Sequence, residues 1–409
     1  MRICIVAFFA PQHGIGGMQD HTHDLGRGLV RAGHEVWVIT SRHPEGKREE
    51  SVDGVRYLFV DAPRYQYDPA WLRGSYSEFV RLHAERAFDV LHSESSSAIE
   101  HVRRGVHRRV PFVVMIHGAL IGLAKARLKS ALRTRRPVPV LRALRGAQWL
   151  AMHKHFRQGN WYRFRACEAI VPSLQQVKDT RRSNLLKESR MHVVPNGIDA
   201  DLFRPRPVPD VRTELGLGEG PIFACVGRLS LEKGFHHALE ALALVDGDTS
   251  SARLVIVGDG EARHRLEKLA RELRVDERVT FVGAQSHERV ALYLAAADGF
   301  LFPTERDEAA PLVLPLAMAC ALPVVASRIG GITEVIGQSG EYGILVPPGD
   351  VRALTEAMRT LVADEPLRRR LGEAARRRVL EEYTIERMTE RTLAVYEVAR
   401  DRLLRSSTA

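Results

Sequence analysis

The stretch "RICIVAFFAPQHGIGGMQDHTHDLGRGLVRAGHEVWVIT", Arg2 to Thr40, decides the fold. It opens on an apolar run, which predicts a strand buried on both faces. "GIGG", Gly14 to Gly17, follows as a turn. Leu25 and Leu29 then fall at helical spacing, and "EVWVIT" returns to a strand. Strand, glycine turn, helix and strand make one unit of a parallel sheet, because parallel neighbours need a crossover connection. The start resembles a signal peptide in its basic residue and short apolar core. No small-residue cleavage site follows, so a buried first strand is the better reading.

The same grammar runs outward. "VRYLFV", "FDVLHSE", "PFVVMIHG" and "EAIVPS" continue the first half. A second series begins at "PIFACVGRL" and goes on through "ARLVIVGDG", "RVTFVGA", "DGFLFPT", "LPVVAS" and "GILVPPGD". Val351 to Tyr383 reads as amphipathic helices and Thr384 to Leu404 as a terminal helix. Between the halves "VPNGIDADLFRPRPVP" reads as a linker. A chain of 409 residues exceeds what one core supports. The expectation is an α/β protein of two doubly wound, Rossmann-like domains facing a central cleft. Residues 1–203 would form the first, 204–383 the second, and a helix at 384–409 would pack back toward the first. Ligands of such sheets sit at the carboxyl ends of the strands.

Composition excludes several classes. Cys4, Cys167, Cys225 and Cys320 are far apart with no CxxC pair, which argues against structural zinc and for reduced thiols in a cytoplasmic setting. The run Ala309 to Ser327 is long enough to span a bilayer, but Pro311, Pro315 and Pro323 break it into loop, helix and strand. The net charge of +10 is local: sixteen Lys or Arg and no acidic residue lie between His101 and Cys167, so the remainder is acidic. That segment, at 124–165 above all, mixes cations with Leu, Trp and Phe. It suits peripheral contact with anionic membrane, an acceptor bearing phosphate or lipid, or a solvated helical face. Nucleic acid is disfavoured, because no recognised binding fold accompanies the charge.

Three motifs carry candidate chemistry. Gly14 to Gly17 is not a dinucleotide fingerprint, since the third glycine position falls on Gln19. It reads either as a backbone approach to an anion or sugar, or as a tight turn without ligand. In "HTHD", His21 and His23 are two apart on a helix and do not face each other, so paired metal ligation is not expected. "DGD", Asp246 to Asp248, resembles a metal–nucleotide motif but lies in a polar turn. Arg228 and Lys233 in "VGRLSLEKGF" are two cations in a loop that opens a helix, a pairing that suits a departing diphosphate.

With these motifs in order, the chain resembles the family 4 glycosyltransferases, retaining enzymes of the GT-B architecture. "GGMQDHTHDLGRGLVRAGHEV", "PFVVMIHG", "VPNGID", "VGRLSLEKG", "LVIVGDG", "VTFVGA" and "AMACALPVVAS" carry the resemblance over nearly the whole chain. It implies that Gly16 and Gly17 border the donor sugar and acceptor pocket, and that His117 contacts the donor sugar hydroxyls. Arg228 and Lys233 would neutralise the diphosphate, and the backbone near Ala284 and Gln285 would pack on the base. Ala310, Leu312 and Val313 would complete the donor site. Glu308 would be the first carboxylate of the family's E-x7-E motif, on the donor sugar; eight residues on, the ribose-binding carboxylate is replaced by Leu316. Ala309 and Pro311 stand where the family commonly has glycines.

The implied activity is transfer of a sugar from a nucleotide diphosphate sugar, UDP first among them, to an acceptor hydroxyl. The family uses neither metal nor cofactor. The rival is a silent GT-B binding protein that has lost its ribose contact. In that case Glu308 is an ordinary surface residue.

Overall fold

In a computed structural model, the chain is described at residues 1–14, 16–62, 68–117, 161–182, 186–245 and 252–407. Residues 118–160 of the basic segment and the acidic turn Asp246–Asp248 lie outside the described residues. The described residues form two compact units, Met1–Gly197 with Ile385–Ala409, and Ile198–Thr384.

The first unit is built on strands β1 (Arg2–Val6), β2 (Glu35–Ser41), β3 (Glu49–Val52), β4 (Val55–Val60), β5 (Val90–Glu94), β6 (Phe112–Met115), β7 (Glu168–Val171) and β8 (Met191–Val193). They lie in the order β3-β4-β2-β1-β5-β6-β7-β8. All neighbours are parallel except β3, which pairs antiparallel with β4. The order reverses between β1 and β5, which makes their carboxyl ends the switch point of the sheet. Every residue of β1 is buried, as an apolar run without alternation requires.

Helix α1 (Gly17–Arg31) follows β1, and α2 (Pro69–Glu85) follows β4. Trp71, Phe79 and Phe88 fill one side of the sheet with Cys4, Val114 and Ala169. The other side is closed by the terminal helix Ile385–Ser407, whose Met388, Val395 and Tyr396 pack on Ile3, Ile5 and Met115. That helix lies so near α1 that a Cβ on Gly28 would stand 2.2 Å from Thr389 Oγ1.

The second unit has a six-stranded parallel sheet: β9 (Ile222–Val226), β10 (Arg253–Val257), β11 (Val279–Gly283), β12 (Gly299–Phe302), β13 (Val324–Ser327) and β14 (Gly343–Val346). The order β11-β10-β9-β12-β13-β14 is the dinucleotide-type order, reversing between β9 and β12. Along β9 the side chains alternate between two cores, Ile222 and Ala224 on one face, Phe223 and Cys225 on the other. Both faces are covered.

The units divide after Gly197 rather than at 203, and the cause is local. Ile198 donates its N–H to Tyr383 O (2.8 Å) and bridges Thr384, and Phe203 is buried in the second unit's core. The four cysteines are all buried and unpaired by disulfides. Among the described residues no helix is long and apolar enough to cross a membrane.

Candidate active site

Each unit gathers charged side chains at the carboxyl ends of its sheet, and the two gatherings differ in kind. In the second unit the chain leaves β9 through Gly227 and Arg228, makes a short turn at Leu231–Lys233, and enters helix α3 (Phe235–Leu244). Gly234 has φ 72°, and a Cβ there would stand 2.0 Å from Pro303 O, so only glycine allows the loop to press against the end of β12. The two segments are also bonded: Glu305 N–H and Thr304 Oγ1 both donate to Glu232 O, at 2.9 and 3.1 Å. Arg306 donates to Glu232 Oε1 at 3.1 Å.

This clamp brings Lys233 Nζ to 2.7 Å from Glu308 Oε1, with Arg306 Nε at 3.9 Å from the same oxygen. The Lys233 ammonium also lies 5.3 Å from the Phe302 ring centroid, a favourable cation–π distance. Glu308 is therefore no ordinary surface glutamate: it is 15% exposed and carries two cations. Its backbone is held too, since Gly331 N–H donates to Glu308 O at 2.8 Å. Arg228 is exposed and makes no ion pair among the described residues. Leu316 is half-buried and packs against the apolar core.

Of the other expected donor residues, Leu312 caps the short helix Val313–Ala319 and Ala310 precedes it, half-buried. Ala284 is exposed just past β11, and Gln285 folds its amide back to Val282 O (3.2 Å). The structure thus brings Lys233 and Glu308 into contact. Arg306, Glu232 and Glu305 join them, and the sequence reading named none of these three.

In the first unit Gly16 caps α1 in extended geometry. His117 follows β6 and donates Nε2–H to Glu94 Oε2, at the end of β5. Glu94 is wholly buried. Its other oxygen lies 3.7 Å from His21 Nε2 and 3.5 Å from His92 Nε2. His92 Nδ1 in turn meets Tyr396 Oη at 2.9 Å. His21 and His23 do part ways, His23 turning instead to Tyr57 Oη (2.9 Å) and Asp53 (3.1 Å).

Burial pushes the Glu94 carboxyl up. The facing charges of His117 and His21, with hydrogen bonds from His117 and His92, outweigh it and hold it well below the carboxylate range. Burial drives His21 down to about 3, against the opposing pull of Glu94. Burial and the Glu94 charge raise the Tyr396 phenol, so it keeps its proton. In the sequence Glu94 shows only as the carboxylate ending the strand-like run "FDVLHSE"; every residue of that strand, Glu94 included, is buried.

Among the described residues, two groups place three metal-ligand-type atoms within 4.8 Å of one another: His21, Glu94 and His117, and His236, His237 and Glu305. In each, a histidine nitrogen is already bonded to the carboxylate, His117 to Glu94 and His237 Nε2 to Glu305 at 3.1 Å.

Against this geometry the comparisons are specific. "Glycosyltransferase Family 4" matches residues 15–202 and "Glycosyl transferases group 1" matches residues 209–378. D-inositol 3-phosphate glycosyltransferase of Xylanimonas cellulosilytica is 30% identical over 388 residues, covering 88% of this chain and 87% of that protein. Sucrose-phosphate synthase of Thermosynechococcus elongatus superposes with a TM-score of 0.77 at 25% identity, over 97% of this chain and 98% of that one. HepE of Anabaena, solved in complex with UDP, gives 0.72 at 18% identity, over 97% and 100%. The chain belongs to the family 4 glycosyltransferases of the GT-B fold. It is a glycosyltransferase.

Proposed function

We propose that the protein moves a sugar from a nucleotide diphosphate sugar, a UDP-sugar, to an acceptor hydroxyl with retention of configuration and without a metal. The observation that carries this reading is the Lys233–Glu308 pair at 2.7 Å, clamped where the second sheet reverses its strand order. An ammonium beside a carboxylate there serves both ends of a sugar–diphosphate bond: Lys233 faces the phosphates and Glu308 the sugar hydroxyls. Arg228, exposed and without an ion pair among the described residues, adds a second cation.

As the anomeric C–O bond breaks, negative charge gathers on the diphosphate, and fixed cations there lower the barrier by about 3 kcal/mol each. The acceptor oxygen forms the new bond on the same face, and its proton passes to the leaving phosphate oxygen. Lysine and arginine supply the charge that a divalent cation supplies elsewhere. His117 contacts the donor sugar hydroxyls, with Gly16 and Gly17 bordering that pocket. Ala284 and Gln285 pack on the base, and Ala310 with the Leu312 and Val313 amides completes the donor site. UDP as the nucleotide is supported by the UDP complex of the fold neighbour HepE.

The proposed setting is the cytoplasm, with a lipid-linked or phosphate-bearing acceptor. Within 124–165 the basic stretch would meet anionic membrane, and residues 124–160 of it lie outside the described residues.

The test is thermal unfolding with UDP, GDP, ADP, TDP and CDP in EDTA, then sugar conjugates of the best diphosphate. A ligand at about a hundred times its dissociation constant adds roughly 2.7 kcal/mol. A shift by UDP alone, followed by an α-linked product from an α-donor in proton NMR, is the expected result. A shift by another diphosphate would replace the donor, an inverted product would replace the mechanism, and no shift with any of them would refute the donor reading.

A further inference from the structure

We propose that Glu94 is a positioning residue for the transfer reaction: its buried carboxylate fixes the His117 ring through Nε2 and so presents the other nitrogen, Nδ1, to the ligand. The inference rests on the reading of His117 as the sugar contact.

The strand register makes the pairing. Glu94 is the last residue of β5 and lies opposite Met115, the last residue of β6; His117 comes two residues later. Directly after Glu94 the chain turns at Ser95, a non-glycine residue at φ 53° whose N–H donates to Met115 O at 2.9 Å. A backbone in the left-handed region persists only where its surroundings hold it, and such positions gather at functional sites. Ser93 Oγ braces the turn, donating to Ser95 O (2.8 Å) and accepting from Ala98 N–H (3.0 Å).

The surroundings of the carboxylate are unusual for a stabilising ion pair. Among the described residues no lysine or arginine pairs with Glu94; its ionic neighbours are His21, His92 and His117. Burying a carboxylate among histidines is costly, and a well-packed apolar residue would hold the fold as well. What the arrangement provides is direction. His92 shares a hydrogen bond with Tyr396 Oη through Nδ1 (2.9 Å), and its Nε2 stands 3.5 Å from Glu94 Oε1. His21 stands on the same oxygen from 3.7 Å, its ring edge-on to His117 with centroids 4.8 Å apart. Glu94 thus faces groups on α1, β5, the segment after β6 and the terminal helix, and only His117 among these histidines reaches solvent, at 17% exposed. A carboxylate that locks one imidazole tautomer is a recurrent device for orienting a histidine.

Two readouts test this. The first needs no substrate: nitrogen-15 histidine labelling of the whole chain, with the His117 signals identified by their loss in H117A. Nε2 of His117 should be protonated in the wild type and lose that preference in E94A. A His117 proton on Nδ1, or identical spectra in the variant, would overturn the proposal. The second is steady-state turnover of UDP-glucose to UDP in wild type, E94A, E94Q, H117A and E94A/H117A, each checked by thermal melting. E94A should lower kcat about 100-fold with donor KM little changed, the scale of a misaligned reacting group. E94Q keeps an accepting oxygen and should recover most of that loss. In the H117A background E94A should cost less than about twofold, because the effect passes through one ring.

If E94A does not fold, the nearly isosteric E94Q carries both readouts, with His117 keeping its Nε2 proton and turnover within about tenfold of wild type. Normal turnover in E94A, or independent losses in the double variant, would overturn the inference while leaving the His117 role intact. Normal turnover in H117A would overturn the His117 role itself. Loss of wild-type activity in EDTA with recovery in zinc would assign the cluster to a metal instead. If UDP-glucose is not turned over, the tautomer readout decides alone.

Discussion

The two units solve the problem of a charged site in opposite ways. The first sinks one carboxylate among three histidines, wholly out of water, and lets only His117 emerge. The second spreads Arg228, Lys233, Arg306, Glu232 and Glu308 over loops, with the Lys233–Glu308 and Arg306–Glu232 pairs tying the segment after β9 to the segment after β12. Burial makes the first cluster sensitive to protons. The second cluster sets its carboxylates beside lysine and arginine, with Glu308 15% exposed and Glu232 26% exposed. On the proposed reading, orientation is the business of one unit and charge neutralisation that of the other.

The comparison breaks first at Lys233. Lys233→Ala should lower kcat by about 100- to 1000-fold with the fold kept, because a fixed cation is removed from a developing charge. Near-normal turnover would remove the diphosphate role. Next in size is the clamp: Gly234→Ala forces a Cβ into Pro303 O, so it should destabilise the second unit by about 1–3 kcal/mol in urea titration and weaken UDP binding with it. Unchanged stability would mean that the loop is not held as described.

Proton sensitivity separates the units in a third way. Burial holds His21 and His101 down to about 3, from an ordinary value of 6.5. The unfolded chain therefore binds protons below pH 6.5 that the folded chain refuses. Stability should be complete above that pH and fall as the pH drops toward 3, by up to about 1.4 kcal/mol per pH unit for each histidine. Glu94, held low, keeps its contribution above the ordinary carboxylate value and loses it only at still lower pH. Urea titrations across pH 4–8 would check the slope, and a flat profile would contradict the burial argument. Two smaller effects sharpen the contrast. Leu316→Glu should tighten UDP binding by about tenfold in calorimetry, one hydrogen bond to a charged group regained. Tyr396→Phe should lower kcat only about two- to threefold, since it touches the site through His92 and Glu94; a loss as large as that of Glu94 would mean that the terminal helix holds the whole cluster.

The architecture was legible because fully buried parallel strands must be apolar without interruption: "RICIV" and "IFACV" announce themselves. The strands β3 and β8 escaped notice for the opposite reason. The first is a polar, half-exposed edge and the second has three residues. Lys233 and Glu308 were legible as types in motifs, but their contact spans 75 positions and depends on Gly234 pressing on Pro303. Glu94 was harder still. Nothing local distinguishes a carboxylate at a strand end that meets solvent from one that meets His117, because the register between β5 and β6 decides it. The partners of a charge are long-range facts, and long-range facts belong to the fold.

The most direct test of the account is calorimetric titration of UDP into the wild type and Lys233→Ala, both in EDTA. The account predicts metal-free binding by the wild type and at least about tenfold weaker binding by the variant. Equal affinity in the two proteins, or binding that returns only when a divalent cation is added, would contradict it.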